Sequence, residues 1–199
     1  MQDQKTNNSR KSDIQLETIK TPPHSIEAEQ AVLGGLMLDN NAWDKVADRL
    51  SDVDFYRHDH RAVFNSMIDL ARKDKPFDVL TVADKLKESN LLNDAGGEAY
   101  LFELANNTPS VANISAYSDI VRERSILRQL IGVSHDIAES AFHPDGRDSL
   151  DILDEAERRV FAISEKKMRG EGAIDIKNLL AKAVNRINIL FESKGSLTG

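Results

Sequence analysis

The sequence predicts an all-α protein: a small helical globule with a projecting antiparallel helical hairpin, then a linker and one amphipathic helix. Three observations carry that expectation. Apolar residues recur at helical spacing, as in Trp43, Val46, Ala47 and Leu50. No segment sustains the two-residue alternation, rich in β-branched residues, that a half-buried strand shows. The turn signal His143-Pro144-Asp145-Gly146 stands between two long helical stretches and so makes them an antiparallel pair.

Residues 1–20 are polar, with Ile14, Leu16 and Ile19 the only large apolar residues after Met1, and read as a disordered tail. The globule is expected over 21–112. Pro22 and Pro23 keep a helix from starting before them, Ser25 is a good N-cap, and Glu27 and Glu29 suit the positive end of the helix dipole. Ala28, Ala31, Val32 and Gly35 keep one side of this helix small, and Leu33, Leu36 and Leu38 are its bulky apolar positions. Val63, Phe64, Met67, Ile68 and Ala71 form the face of another helix. Thr81 with Asp84 is the expected cap of a third, carrying Val82, Ala83 and Leu86. Gly96-Gly97 breaks the chain before a short helix marked by Tyr100, Leu101 and Leu104.

The hairpin is expected over 113–166, one arm from Asn113 to about Phe142 and the other from about Leu150 to Lys166. Leu153, Ala156, Val160 and Ile163 repeat at three, four and three, the seam of a helix that packs on another helix. A hairpin on so small a globule cannot bury both sides alone, so this seam is the candidate self-association surface. Residues 167–175, with charged residues and glycines, read as a flexible linker. Ile176, Leu179, Leu180, Ala183, Ile187, Leu190 and Phe191 then form the stripe of a helix over 176–192, with 193–199 beginning a further connection. Nothing near it in sequence buries that stripe, which makes it a candidate docking helix.

Composition narrows the function. At 199 residues, 40% hydrophobic and 30% charged, the chain suits a soluble domain with long exposed helices. The absence of cysteine removes disulfides and thiolate metal sites. With no apolar run long enough to cross a bilayer and no signal-peptide core, the expected location is cytoplasmic. A net charge of −7 argues against a surface built mainly to grip the DNA backbone and points to protein partners.

No catalytic, cofactor-binding or metal-binding residue is assigned. No glycine leads into the GK[ST] ending of a phosphate-binding loop. The two histidines of His58-Asp59-His60 point in different directions on a helix, and Asp59 reads as the cap of a helix beginning at about His60. Ser134-His135-Asp136 cannot converge on one reacting atom. Arg122, Arg124 and Arg128, mixed with Glu123, read as a solvated face or as interhelical ion pairs.

The string TPPHSIEAEQAVLGGLMLD, Thr21 to Asp39, resembles the N-terminal signature of the bacterial replicative DNA helicases of the DnaB family. DFYRHDHRAVF (Asp54 to Phe64), the stretch from Gly96 to Ile131, and EAERRVFAISE (Glu155 to Glu165) are similar to the same family, in its order and spacing. The resemblance implies the N-terminal collar of a hexamer, homo-oligomeric, that pairs subunits through the hairpin and engages primase, with a helicase loader as a further candidate partner. It implies a motor domain, after the point where this chain stops, that holds ATP and magnesium and makes most of the DNA contact. The 176–192 helix would dock on the neighbouring subunit's motor. The competing expectation is a free-standing helical adaptor or transcription regulator that dimerises through the hairpin.

Overall fold

The structure, a computed structural model, describes residues 21–168. Among them there are seven α-helices and no strand. These are α1 (Ile26–Leu38), α2 (Trp43–Ala47), α3 (His58–Ala71), α4 (Val79–Glu88), α5 (Gly97–Asn106), α6 (Ile114–Phe142) and α7 (Ser149–Met168), with short 3-10 turns at Asn40–Ala42, Asp52–Asp54 and Val111–Asn113. The expected all-α globule and hairpin are what the chain forms.

Helix α1 is the centre of the globule and packs against α3, α5 and α6. Ser25 caps it, its side chain accepting from the Ala28 amide at 3.3 Å. Small residues let its neighbours approach: a Cβ built on Gly34 would lie 2.0 Å from the Leu104 carbonyl oxygen of α5. Every residue from Ala31 to Met37 is buried, so α1 is surrounded and not merely docked by one face. Leu38, expected among the bulky packing positions, is instead 57% exposed, because the helix ends there and the chain turns away at Asp39. Asn40 then ties two segments together, its side chain donating to the Leu36 and Phe77 carbonyls and accepting from the Phe77 amide.

The core is continuous from α1 through α5 and includes Phe55, Phe64, Met67, Leu86 and Leu101. Trp43 closes one side, its ring 5.8 Å from Phe64 and 5.3 Å from Phe77 between centroids. Two expected helix starts differ. Asp78 caps α4, accepting from the Leu80 and Thr81 amides, and Thr81 is the third helical residue, bonding back to the Asp78 amide. Capping needs an acceptor before the first helical residue, which places Asp78 and not Thr81 at the start. Likewise α3 begins at His58, so Asp59 lies inside its first turn. Leu50 is buried past the end of α2 and so joins the core from the loop.

Gly96, at φ 88°, makes the left-handed turn into α5. Asp145 and Gly146 do the same at the hairpin tip, at φ 50° and 82°. The hairpin arms, α6 and α7, pack along each other.

Candidate functional site

Helix α6 has two parts. Ile114, Ser118, Val121 and Ser125 are buried at intervals of four, three and four, which is one stripe facing the globule. Beyond Ser125 no residue of α6 is buried. The helix therefore leaves the globule at about Ser125, and the lever it forms with α7 is held by what happens there.

A buried carboxylate holds it. Asp54, with no exposed surface, ends the 3-10 turn Asp52–Asp54 and accepts four hydrogen bonds. The Ser51 amide and hydroxyl donate to Oδ2 at 2.8 and 2.9 Å. From α6, Arg122 Nη1 and Ser125 Oγ both donate to Oδ1 at 2.6 Å. One turn on, Arg128 donates to the carbonyls of Pro23, at 2.7 Å, and of Asp54, and its guanidinium sits 5.7 Å from the centroid of the Tyr56 ring. Burial lowers the Arg128 pKa from the ordinary arginine value. Three serially distant segments, 22–25, 51–56 and the middle of α6, thus meet at one charged cluster.

A second polar cluster lies beside it. Glu29 of α1 is buried and accepts from the Tyr56 amide at 2.7 Å and from the Arg57 amide at 3.4 Å. His60 Nδ1 lies 2.7 Å from Glu29 Oε2, and His60 Nε2 lies 2.7 Å from the Tyr100 hydroxyl. Gln30 donates to that hydroxyl at 3.2 Å. Burial pushes the Tyr100 phenol up from its usual range. Burial would also raise Asp59, but the hydrogen bonds from Arg57, together with the nearby positive charge, outweigh it and hold that carboxyl below the usual carboxylate range. Both clusters grip residues 51–60, and so fix the loop that receives α6.

Along the hairpin, Arg159 of α7 pairs with Asp136 of α6 at 2.9 Å and with Glu155 at 2.6 Å. The residues read as one seam divide. Ile163 is buried, 7% exposed, and Ala156 is half-buried. Leu153 and Val160 are 54% and 44% exposed. Phe161, not part of the seam, is 63% exposed and with Ala156 and Val160 lines a shallow, mostly apolar groove on α7. Leu127, Leu130 and Ile131 add exposed apolar surface on α6. The docking-helix residues Ile176, Leu179, Leu180, Ala183, Ile187, Leu190 and Phe191 lie outside the described residues.

The other motifs resolve simply. His58 is exposed while His60 is buried in the Glu29 cluster. Ser134 and His135 are exposed on α6, and Asp136 is the ion-pair partner of Arg159. Arg122 and Arg128 bind the globule rather than forming a solvated face. Sequence reasoning missed Asp54, Glu29 and His60. The Ser51-to-Asp54 spacing is that of a capping pair and could have flagged Asp54. Glu29 gave no such signal, since an acidic first turn is sufficiently explained by the helix dipole.

A helical globule with an apolar core, whose buried polar cluster around Asp54 holds the base of a projecting helical hairpin, is the class of protein this geometry defines. The chain belongs to the family described as DnaB-like helicase N terminal domain, which matches residues 21–123. It is 47% identical over 193 residues to the replicative DNA helicase DnaB of Haemophilus influenzae, covering 96% of this chain and 41% of that protein. It is 39% identical to the Geobacillus stearothermophilus DnaB over 90% of this chain and 39% of that one. The chain thus spans about two fifths of the length of these relatives. Its fold matches the crystal structure of the N-terminal domain of DnaB helicase from Mycobacterium tuberculosis, with TM-score 0.69, 34% identity, and coverage of 71% of this chain and 99% of that one. A structure described as that of a DnaB-like replicative helicase and its interactions with primase shares the fold at TM-score 0.61 and 24% identity, covering 82% of this chain and 35% of that one.

Proposed function

We propose that this chain is the N-terminal assembly and partner-recruiting module of a hexameric, ATP-dependent replicative DNA helicase that acts in the cytoplasm. The carrying observation is the hairpin. Its base is held by a fully bonded buried charge, while Leu153, Val160 and Phe161 along α7 face solvent. A rigid lever with an exposed apolar side is an association device. Each such side chain withdrawn from water contributes roughly 1.5–3 kcal/mol, enough for a few of them to hold two copies together. The relatives' names add the helicase, and the neighbour's description adds primase as the recruited partner. ATP and magnesium would be held by a motor domain outside these residues, which would also make most of the DNA contact. The net charge of −7 agrees with protein rather than DNA as this module's main partner.

Sedimentation across a concentration series tests the reading. The chain should self-associate, and Val160→Asp combined with Phe161→Asp should dissociate it without loss of helicity, because both side chains are exposed within one copy. An oligomer unchanged by the pair, or a chain monomeric at every concentration, would overturn the role of the α7 face. Titration of the intact protein with the primase from the same cell then tests recruitment separately.

A further inference from the structure

The hydrogen atoms of the buried cluster around His60 can be arranged in two ways. The Tyr56 and Arg57 amides donate to Oε1 and Oε2 of Glu29, which is 1% exposed. A carboxylate held by two amide donors is ionised and only accepts. His60 Nδ1, 2.7 Å from Oε2, therefore carries a hydrogen and donates it. With His60 neutral, Nε2 has no hydrogen and accepts from the Tyr100 hydroxyl at 2.7 Å. The phenol oxygen in turn accepts from Gln30 Nε2 at 3.2 Å. Burial pushes the Tyr100 phenol up, so the hydroxyl keeps its hydrogen. The other amide atom, Gln30 Oε1, has no partner among the described residues and is not buried. Gln30 lines a cleft between α1 and α5, with Ala31 and Leu104.

A second ring hydrogen on His60 reverses this chain. Nε2 then donates to the Tyr100 oxygen, and the hydroxyl must turn its own hydrogen to the Gln30 side. There it meets the amide NH2, donor against donor. The amide turns over, offers Oε1 to the hydroxyl and leaves Nε2 at the cleft. We infer that His60 is a proton-operated switch, relayed through Tyr100 to Gln30: the α1–α5 cleft offers an acceptor at Gln30 when His60 is neutral and a donor when it is protonated. Histidine is the side chain whose charge ordinarily changes between about pH 5 and 8. The titratable and charged groups around His60 are Glu29 on α1, Arg57 and Asp59 at the start of α3, and Tyr100 on α5. Arg128 of α6 acts on Glu29, and Glu103 of α5 acts on Tyr100.

The test is an NMR titration of the full chain from about pH 8 to about pH 5. The His60 ring nitrogens should report hydrogen on Nδ1 alone at high pH and on both at low pH. The Gln30 side-chain amide and Tyr100 Cζ should shift with the same midpoint as His60. In Tyr100→Phe, which removes only the hydroxyl, His60 should still titrate while the Gln30 response is lost. A His60 ring that keeps one state across the range overturns the inference, as does a Gln30 amide that does not move with it in the parent. A Gln30 response that follows His24 or His58, or that persists in Tyr100→Phe, overturns the relay. The titration of the parent needs no variant, so the inference stays testable even if Tyr100→Phe fails to fold.

Discussion

Asp54 is where a single side chain decides the geometry of the whole lever. It has no exposed surface, and its four donors come from its own turn and from α6. Asp54→Ala leaves Arg122 largely buried without its counter-charge, and such losses cost about 3–5 kcal/mol. Denaturant unfolding should show that loss, and replacing Arg122 as well should recover part of it, since the orphaned charge goes too. Asp78 is a quieter case. Hydrogen bonds from the Thr81 amide and neighbouring groups hold its carboxyl below the usual carboxylate range. A carboxyl depressed in the native state stabilises above its unfolded value, near 3.9, and loses that contribution as pH falls through the native value. Asp78→Ala should therefore cost about 1 kcal/mol at neutral pH and progressively less below about pH 4, which melting curves at several pH values would reveal. Capping residues are partly legible: Ser25 is the cap its position predicts, whereas Asp78, three residues before the expected Thr81, is the cap of α4. Both are good cappers by type, and only the backbone says which precedes the first helical turn. The buried charges were not legible, because an isolated acidic residue in a sequence gives no sign of the arginine that will meet it tens of residues away.

Glycine plays different parts in two helices, α1 and α6. Gly34 lies in α1 where α5 crosses it, and an added Cβ would meet backbone and the Thr108 hydroxyl, each at 2.0 Å. Gly132 lies in the projecting part of α6, where a Cβ would meet nothing within 4 Å. Alanine gains about 1 kcal/mol of helix propensity over glycine at either site. At Gly34 the overpacking penalty, typically 1–3 kcal/mol and more against unyielding backbone, outweighs it. Gly34→Ala should lower the melting temperature and Gly132→Ala should raise it; a stabilising Gly34→Ala would mean that α1 and α5 do not cross as described, and a destabilising Gly132→Ala that this part of α6 is not open. This contrast also shows how far element-level reading goes. The small-residue character of α1 was visible from Ala28, Ala31 and Gly35, and the hairpin from its tip and arm lengths. The seam on α7 was visible as a period of three and four, yet that period holds both Ile163, which faces the chain's own interior, and Val160, which does not. Periodicity finds an apolar stripe; it does not say how a broad stripe is shared between an intrachain and an intermolecular neighbour.

At the scale of the whole molecule, the described globule and hairpin share one packed interface through α6, and under the proposed function a helix over 176–192 would connect them to the rest of a ring. Ile176, Leu179, Leu180, Ala183, Ile187, Leu190 and Phe191 make a dense stripe. A helix of the length expected there would be marginal in water, and most of its stability would have to come from packing that stripe. Under the proposed function, Leu180→Asp or Ile187→Asp in the intact protein should weaken the proposed hexamer and its unwinding while the N-terminal globule stays folded. Each buried Leu or Ile contributes roughly 1.5–3 kcal/mol, so the charged replacement should be plainly measurable in assembly. Hydrogen exchange distinguishes the two places the stripe could pack. Protection of residues 176–191 that appears only in the full-length hexamer, and not in the present chain, is the outcome that docking on a neighbour requires. Strong protection in a monomer of this chain would mean that the stripe packs within its own copy, and the connection between subunits would have to be sought elsewhere.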